Sequence, residues 1–290
     1  ENAPQPIHKW KLSTDGKEDT QNQISRVTDA DMRRFSQDLK DMYGYNTGSW
    51  TDFAGCTDVY RAMARLDWNI SDQHRLMLRY NYTGQEKDNN LVGPALGING
   101  GPVSRYSMSF RNSTWKQLDN VSSFTAELNS RINTAMHNQF LASYTFNDGN
   151  KRECNSDFPT IDIMRPDEDG INRAFMNAGY EQHAWRNGIN EKVWSITDNF
   201  SIHLGNHNLV LGASFESQNV SNCYMRYGAG YYRYKSYEDF VNKAAPVAFA
   251  LCYSLTGEDE SLASVHYDQF SLYVQDEFNV NTRLNLFYGI

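Results

Sequence analysis

Few side chains in this sequence are spaced for chemistry. The four cysteines, Cys56, Cys154, Cys223 and Cys252, form no CxxC pair, which argues against a structural metal site. The seven histidines are scattered. His74, His137 and His207 stand at or beside predicted short turns and read as solvated turn residues. Neither HExxH nor GxSxG occurs, so the usual metallopeptidase helix and nucleophile elbow are missing. Asp167-Glu168-Asp169-Gly170 looks like part of a calcium loop but lacks the spaced ligands and terminal Glu of an EF-hand. A solvated acidic loop is the better reading. No pair of carboxylates can be nominated for glycoside hydrolysis from spacing alone. The expectation is a protein that is not an enzyme and uses no metal or cofactor.

Two groups remain that could serve binding or stability. Tyr224, Tyr227, Tyr231, Tyr232, Tyr234 and Tyr237 cluster in one polar segment, with Arg226 and Arg233 interleaved. Tyr224, Tyr227, Tyr231, Tyr232, Arg233 and Tyr234 are the candidate ligand contacts, stacking on sugar, peptide or a cyclic chelator. The competing reading is rings that pack loops together. Cys223 and Cys252 share one predicted loop and are the preferred disulfide pair of an oxidising compartment, against the alternative of four unpaired thiols.

The elements that must position these groups are read from a period-two alternation repeated eight times. Tyr60, Ala62, Ala64, Leu66, Trp68 and Ile70 share one face of the first stripe, with Arg61, Met63, Arg65, Asp67 and Asn69 opposite. Leu76, Leu78, Tyr80 and Tyr82 follow, opposed by Arg75, Arg79 and Asn81. Later stripes carry Phe124, Ala126 and Leu128; Phe140, Ala142 and Tyr144; Trp194, Ile196 and Phe200; Leu209, Leu211 and Ala213; Phe270, Leu272 and Val274; and Leu284, Leu286 and Tyr288. The hairpins fall at about 58–84, 120–148, 192–218 and 264–290. Stripes of roughly ten residues are long enough to cross a bilayer as tilted strands.

Short turns near 72, 135, 206 and 281 alternate with long polar connections at about 85–119, 149–191 and 219–263, and residues 1–57 precede the first stripe. Outer-membrane barrels combine short periplasmic turns with long extracellular loops in this way. An Arg facing lipid at the midplane costs about 2–4 kcal/mol. Arg61, Arg65, Arg75, Arg79, Glu127 and Arg131 are therefore expected to face the lumen. Asp198 and Asp276 fall on the apolar parity, either near the periplasmic interface or after a register-resetting bulge. Two loop helices are expected, one after a Thr28/Asp31 capping box and ended by Gly44, one capped by Ser236 and ended near Pro246. The fold class is thus all-β: an antiparallel transmembrane barrel fragment of about eight strands. Residues 1–57 form an extracellular loop with a short helix, and 58–290 a partial barrel.

Mean hydropathy is -0.68, and no run is apolar enough for a transmembrane helix of roughly 20 residues. Barrels escape that test because only alternate residues meet lipid. The 18 Tyr, 15 Phe and 6 Trp suit aromatic girdles, and equally a carbohydrate-binding sandwich. A net charge of -8 without a basic stripe argues against nucleic acid. The chain begins at Glu1 and stops at Ile290 inside a stripe, so it is expected to be a piece of a longer protein.

Several segments together resemble a known family. They are Ala64-Arg65-Leu66-Asp67-Trp68-Asn69 leading to His74-Arg75-Leu76, Ser123-Phe124-Thr125-Ala126-Glu127-Leu128-Asn129-Ser130, Thr197-Asp198-Asn199-Phe200 through Gly212-Ala213-Ser214-Phe215-Glu216, and Tyr273-Val274-Gln275-Asp276-Glu277-Phe278. Tyr43-Gly44-Tyr45-Asn46-Thr47-Gly48 and Tyr232-Arg233-Tyr234-Lys235-Ser236 add loop matches. In order and spacing they are similar to the barrel of Bacteroidetes TonB-dependent receptors of the Oar-like group. The resemblance implies a 22-stranded barrel with an N-terminal plug, energised through TonB, and no catalytic residues. It implies outer-membrane lipid and TonB as partners, TonB acting through a region outside this sequence, and leaves a SusD-like lid lipoprotein open. The ligand stays unassigned among siderophore, glycan and peptide. A passive porin-like barrel is the alternative; a soluble carbohydrate-binding β-sandwich is a further one and predicts short strands and balanced loops.

Overall fold

Alternating side chains fix which way each strand faces, because a one-residue slip would turn every apolar group to the other side. The computed structural model describes residues 5–51, 54–90, 102–258 and 260–290. In chain order the first elements are β1 (Gln5–Pro6), β2 (Lys11–Ser13), β3 (Ile24–Thr28), α1 (Asp29–Tyr43) and β4 (Ala54–Gly55). Next come β5 (Thr57–Asn69), β6 (His74–Asn89), β7 (Met108–Ser109), β8 (Trp115–Arg131) and β9 (Met136–Cys154). They are followed by β10 (Thr160–Pro166), β11 (Asn172–Ala178), β12 (Asn187–Leu204), β13 (His207–Cys223) and β14 (Tyr231–Tyr234). The chain ends with α2 (Tyr237–Val241), β15 (Ala248–Ala250), β16 (Leu262–Asn281) and β17 (Leu284–Gly289).

The long strands pair as one antiparallel eight-stranded sheet in the order β17-β16-β13-β12-β9-β8-β6-β5. This is the architecture that the alternation predicts, and among the described residues the sheet is open, with β5 and β17 outermost. Its rows are chemically uniform. Leu66, Leu78, Ala126, Ala142, Ile196, Phe215 and Phe270 stand in register across seven strands. The adjacent row, on the other face, is Arg65, Arg79, Thr125, Ser143, Ser195, Glu216 and Gln269. No described helix is long and apolar enough to cross a membrane, which leaves any crossing to the strands.

The polar connections meet beyond the ends of the long strands, opposite the short turns, in a head with its own core. A second sheet has the order β15-β14-β10-β11-β7. Thr28 caps α1 in a complete capping box with Asp31, and Gly44 ends the helix in the left-handed conformation at φ 69°. That helix lays Met32, Phe35 and Leu39 against Met108, Phe110, Ile161, Ile163, Met176 and Phe240. The helix of residues 1–57 therefore packs with the three long connections, and all four segments share one core. Ser236 caps α2 through Asp239.

The strand registers decide between the two readings of Asp198 and Asp276. Pairing runs without a shift through both positions, and β16 is irregular only between Asn279 and Asn281. Both carboxylates thus stay on the apolar face, each held by local partners through one oxygen. Asn138 donates to Asp198 at 2.7 Å. Asp276, near the Gly205-Asn206 turn, meets His207 at 2.7 Å and the Tyr288 hydroxyl.

Candidate functional site

Three surfaces deserve description as sites: the two faces of the long sheet and the head. On the apolar face, β12 presents Trp194, Ile196, Phe200, Ile202 and Leu204. Trp194 to Leu204 matches the roughly 9–11 residues that a tilted strand needs to cross the hydrocarbon. Its border toward the head is aromatic. Tyr80 and Phe124 lie with ring centroids 4.6 Å apart, and Tyr144 and Trp194 4.5 Å apart, in one cross-strand row. Such a row is the girdle expected where membrane meets water. Ala64 continues that row, and beneath it Ala126 and Ala142 floor an apolar hollow rimmed by Leu66 and Leu78.

The opposite face is polar and carries several side-chain hydrogen bonds. Arg65 and Arg75 both reach Asp67, at 2.7 and 3.0 Å. Glu127 accepts from Asn129 at 2.6 Å and from Gln139 at 2.9 Å. Gly212 lets the Tyr273 ring lie across the sheet to bond Asn199, since a Cβ at Gly212 would sit 2.0 Å from that ring. The registers put Arg61, Arg65, Arg75, Arg79, Glu127 and Arg131 together on this polar face. The arrangement can solvate a polar interior; it holds no nucleophile–base pair.

In the head, the nominated aromatic cluster divides. Tyr231 is 0% exposed in a small core with Met164 and Ala174. Its hydroxyl donates to the buried Asp162, which also accepts from Asn177. This ring therefore departs from the expected ligand contact, because its face and its hydroxyl are both spent inside the protein. Arg233 donates to the Tyr231 hydroxyl at 2.9 Å, and Tyr234 packs edge-on against Phe240. Tyr232 meets Phe249, and Tyr227 meets Tyr231. Tyr224 is 50% exposed and stands apart beside His183, its hydroxyl 2.8 Å from Nδ1. Burial first, then Arg226 and Arg152, holds the His183 imidazole below its ordinary pKa.

The expected Cys223–Cys252 bridge is not formed; all four cysteines are free. Cys223 is fixed at the end of β13 opposite Gly188 and Leu262. Cys252 follows β15 on the head sheet, its amide bonded to Tyr227 at 3.3 Å. The Asp167–Gly170 segment closes as a turn. Asp167 accepts from the amides of Asp169 and Ile171 and pairs with Arg173, leaving it no role as a cation loop. Among the described residues no metal-ligating cluster occurs.

Two features of the head escaped the sequence. A cleft of about 340 Å³ opens between α1, the β10–β11 hairpin and α2, lined by Arg34, Arg165, Phe175, Tyr237 and Glu238 among others. Its residues come from positions 31–238, with no local signal to join them. The second was legible. Val247, Phe249, Leu251, Tyr253 and Leu255 alternate through and beyond the edge strand β15 of the head sheet and are between 50 and 92% exposed.

Comparison with known proteins follows from this geometry. Residues 21–290 match the family model described as an outer membrane beta barrel domain. The crystal structure of the outer membrane transporter YddB from Escherichia coli superposes with a TM-score of 0.53 at 12% identity, over 81% of this chain and 27% of that one. That likeness is one of fold, and the present chain spans little more than a quarter of the transporter. The ferric-catecholate import receptor Fiu from E. coli K12 in its open form aligns over 88% of this chain and 39% of that one, at 11% identity and a TM-score of 0.36, too low to carry an argument. No curated protein matches the chain.

Proposed function

Since the chain belongs to the outer membrane β-barrel domain family and so resides in the outer membrane, we propose that it is part of a TonB-dependent transporter that captures a scarce nutrient at its extracellular side. The family is one of barrels and not of enzymes. The carrying observation is the pairing of a two-faced sheet with an ordered head at one end of its hairpins. A passive pore needs only the sheet. A head whose four segments share a core supports a receptor that holds its ligand before translocation.

In this reading residues 1–57 and the long connections form the extracellular head, and the hairpins within 58–290 are part of a larger barrel. Arg61, Arg65, Arg75, Arg79, Glu127 and Arg131 line its lumen as a salt-bridged inner wall. Energy arrives from TonB through a plug region of the parent protein. The exposed row from Val247 to Leu255 supports a protein partner on the head, and a SusD-like lid lipoprotein, which the family resemblance leaves open, is one candidate for it.

The test is genetic. Growth of strains lacking the parent gene or lacking TonB is compared on media limited for chelated iron, glycan carbon or peptide nitrogen. A shared defect on one medium is expected and identifies the nutrient class. A parent-gene deletion that grows normally on all three refutes the transport reading. A defect that persists at full TonB-independent strength favours a passive pore.

A further inference from the structure

The cleft between the two head helices carries two charges, on Arg165 and Glu238, that form no ion pair among the described residues. Among the described residues Arg34 pairs only with Asp38, at 4.0 Å, and the same Asp38 oxygen accepts the Tyr237 hydroxyl. Both guanidiniums are nevertheless held in place. Arg34 lies 4.5 Å over the Tyr237 ring and Arg165 4.7 Å over Phe175, contacts that orient a guanidinium while leaving its N–H groups free.

A backbone irregularity produces the second of these contacts. Ile163 pairs with Met176 but Met164 pairs with Ala174, so Phe175 is the extra residue of a bulge, a device that re-aims a side chain. The backbone of Arg165 is fixed as well. The buried Arg26 donates to the carbonyls of Arg165 at 2.7 Å and Pro166 at 2.8 Å. Met164, Phe175 and Met176 give the cleft an apolar floor, and thioethers adapt to varied shapes.

We infer that this cleft binds a small zwitterion of dipeptide size, its carboxylate between Arg34 and Arg165, its ammonium toward Glu238, and an apolar side chain on the methionines and Phe175. Guanidinium planes favour carboxylates through paired hydrogen bonds. A cavity of about 340 Å³ is at the small end of ligand sites, roughly 300–1,000 Å³. A neutral sugar would make no use of the Arg165 and Glu238 charges, and a bulky chelate would not enter. This site deepens the proposed capture of a nutrient and rests on the head being extracellular.

The experiment uses the full-length parent protein in detergent, titrated calorimetrically with leucyl-phenylalanine, its C-terminal amide, its N-acetyl derivative and acetate alone. The free dipeptide is expected to bind. The amide, or Arg165→Gln with the free dipeptide, should bind about tenfold more weakly, one lost charge-assisted contact. Arg165→Lys should fall between, and Glu238→Gln should abolish the preference for the free amine over the N-acetyl form. Equal binding of the amide, an unaffected Arg165→Gln, or acetate competing as well as the dipeptide overturns the proposal. Should Arg165→Gln not fold, the ligand series and Glu238→Gln still decide. An epitope inserted at Asp169, probed with antibody on intact cells, separates the two failures. A labelled head with no dipeptide binding sinks this inference alone, whereas an unlabelled head sinks the extracellular reading.

Discussion

At the scale of single residues, the strongest chemistry in the head serves its stability. Asp162 is 3% exposed, and burial pushes its carboxyl above the ordinary range, against the opposing hydrogen bonds from Tyr231 and Asn177. A raised folded pKa means that the native head binds a proton more tightly than the unfolded chain. The associated stability is fully present below the unfolded value, about 3.9, and is lost as pH rises through the folded value. The head should thus lose up to about 1.4 kcal/mol per pH unit across that window. Asp162→Asn keeps the shape, carries no charge and should flatten the profile. Thermal melts of both proteins from acid to neutral pH check this, and parallel slopes would count against it. None of this was legible in sequence: Asp162 meets Tyr231 69 positions away, with nothing local to mark either as buried.

At the scale of elements, the strands were readable and the head was not, for one physical reason. A strand repeats its environment every second residue, so Leu76, Leu78 and Tyr80 declare a face within five positions. The head core joins Phe35 to Phe110 at 5.8 Å and to Phe240 at 5.4 Å, across separations that no period records. Only its caps, Thr28 with Asp31 and Ser236, and the alternation of Val247 to Leu255 were local enough to leave a signal. Two predictions belong here. Thr28→Ala removes the side-chain half of a capping box and should cost about 1 kcal/mol of head stability, seen in the same melts. Leu78→Arg places a cation on the apolar row between Leu66 and Ala126, costing about 2–4 kcal/mol near the midplane, whereas Arg79→Leu changes only the polar face. In the full-length parent, the heat-modifiable folded fraction on gels should collapse for Leu78→Arg and persist for Arg79→Leu. Equal assembly of the two would undo the face assignment.

At the scale of the whole molecule, the sheet has two edges that the described residues leave unpaired. β5 has β6 on one side only, and β17 meets β16 only from Gln275 onward, so β16 lacks a partner on that side over residues 262–273. An exposed row of backbone N–H and C=O groups templates pairing with another chain, and in hydrocarbon each unsatisfied group costs several kcal/mol. The head cannot relieve this, because its sheet is separate from the long one. Residues 1–290 produced alone should therefore fold their head but associate through the edges of β5 and β16. Planar-bilayer recordings should show no stable unitary conductance. Cysteine pairs placed on those two edges should cross-link between molecules, after the four native cysteines are replaced by serine. In the full-length parent the same pairs should not cross-link between molecules, because further strands would occupy both edges. A monodisperse 290-residue monomer with steady unitary conductance would mean that these strands close on themselves, and the division of labour between a partial wall and a capturing head would fail with it.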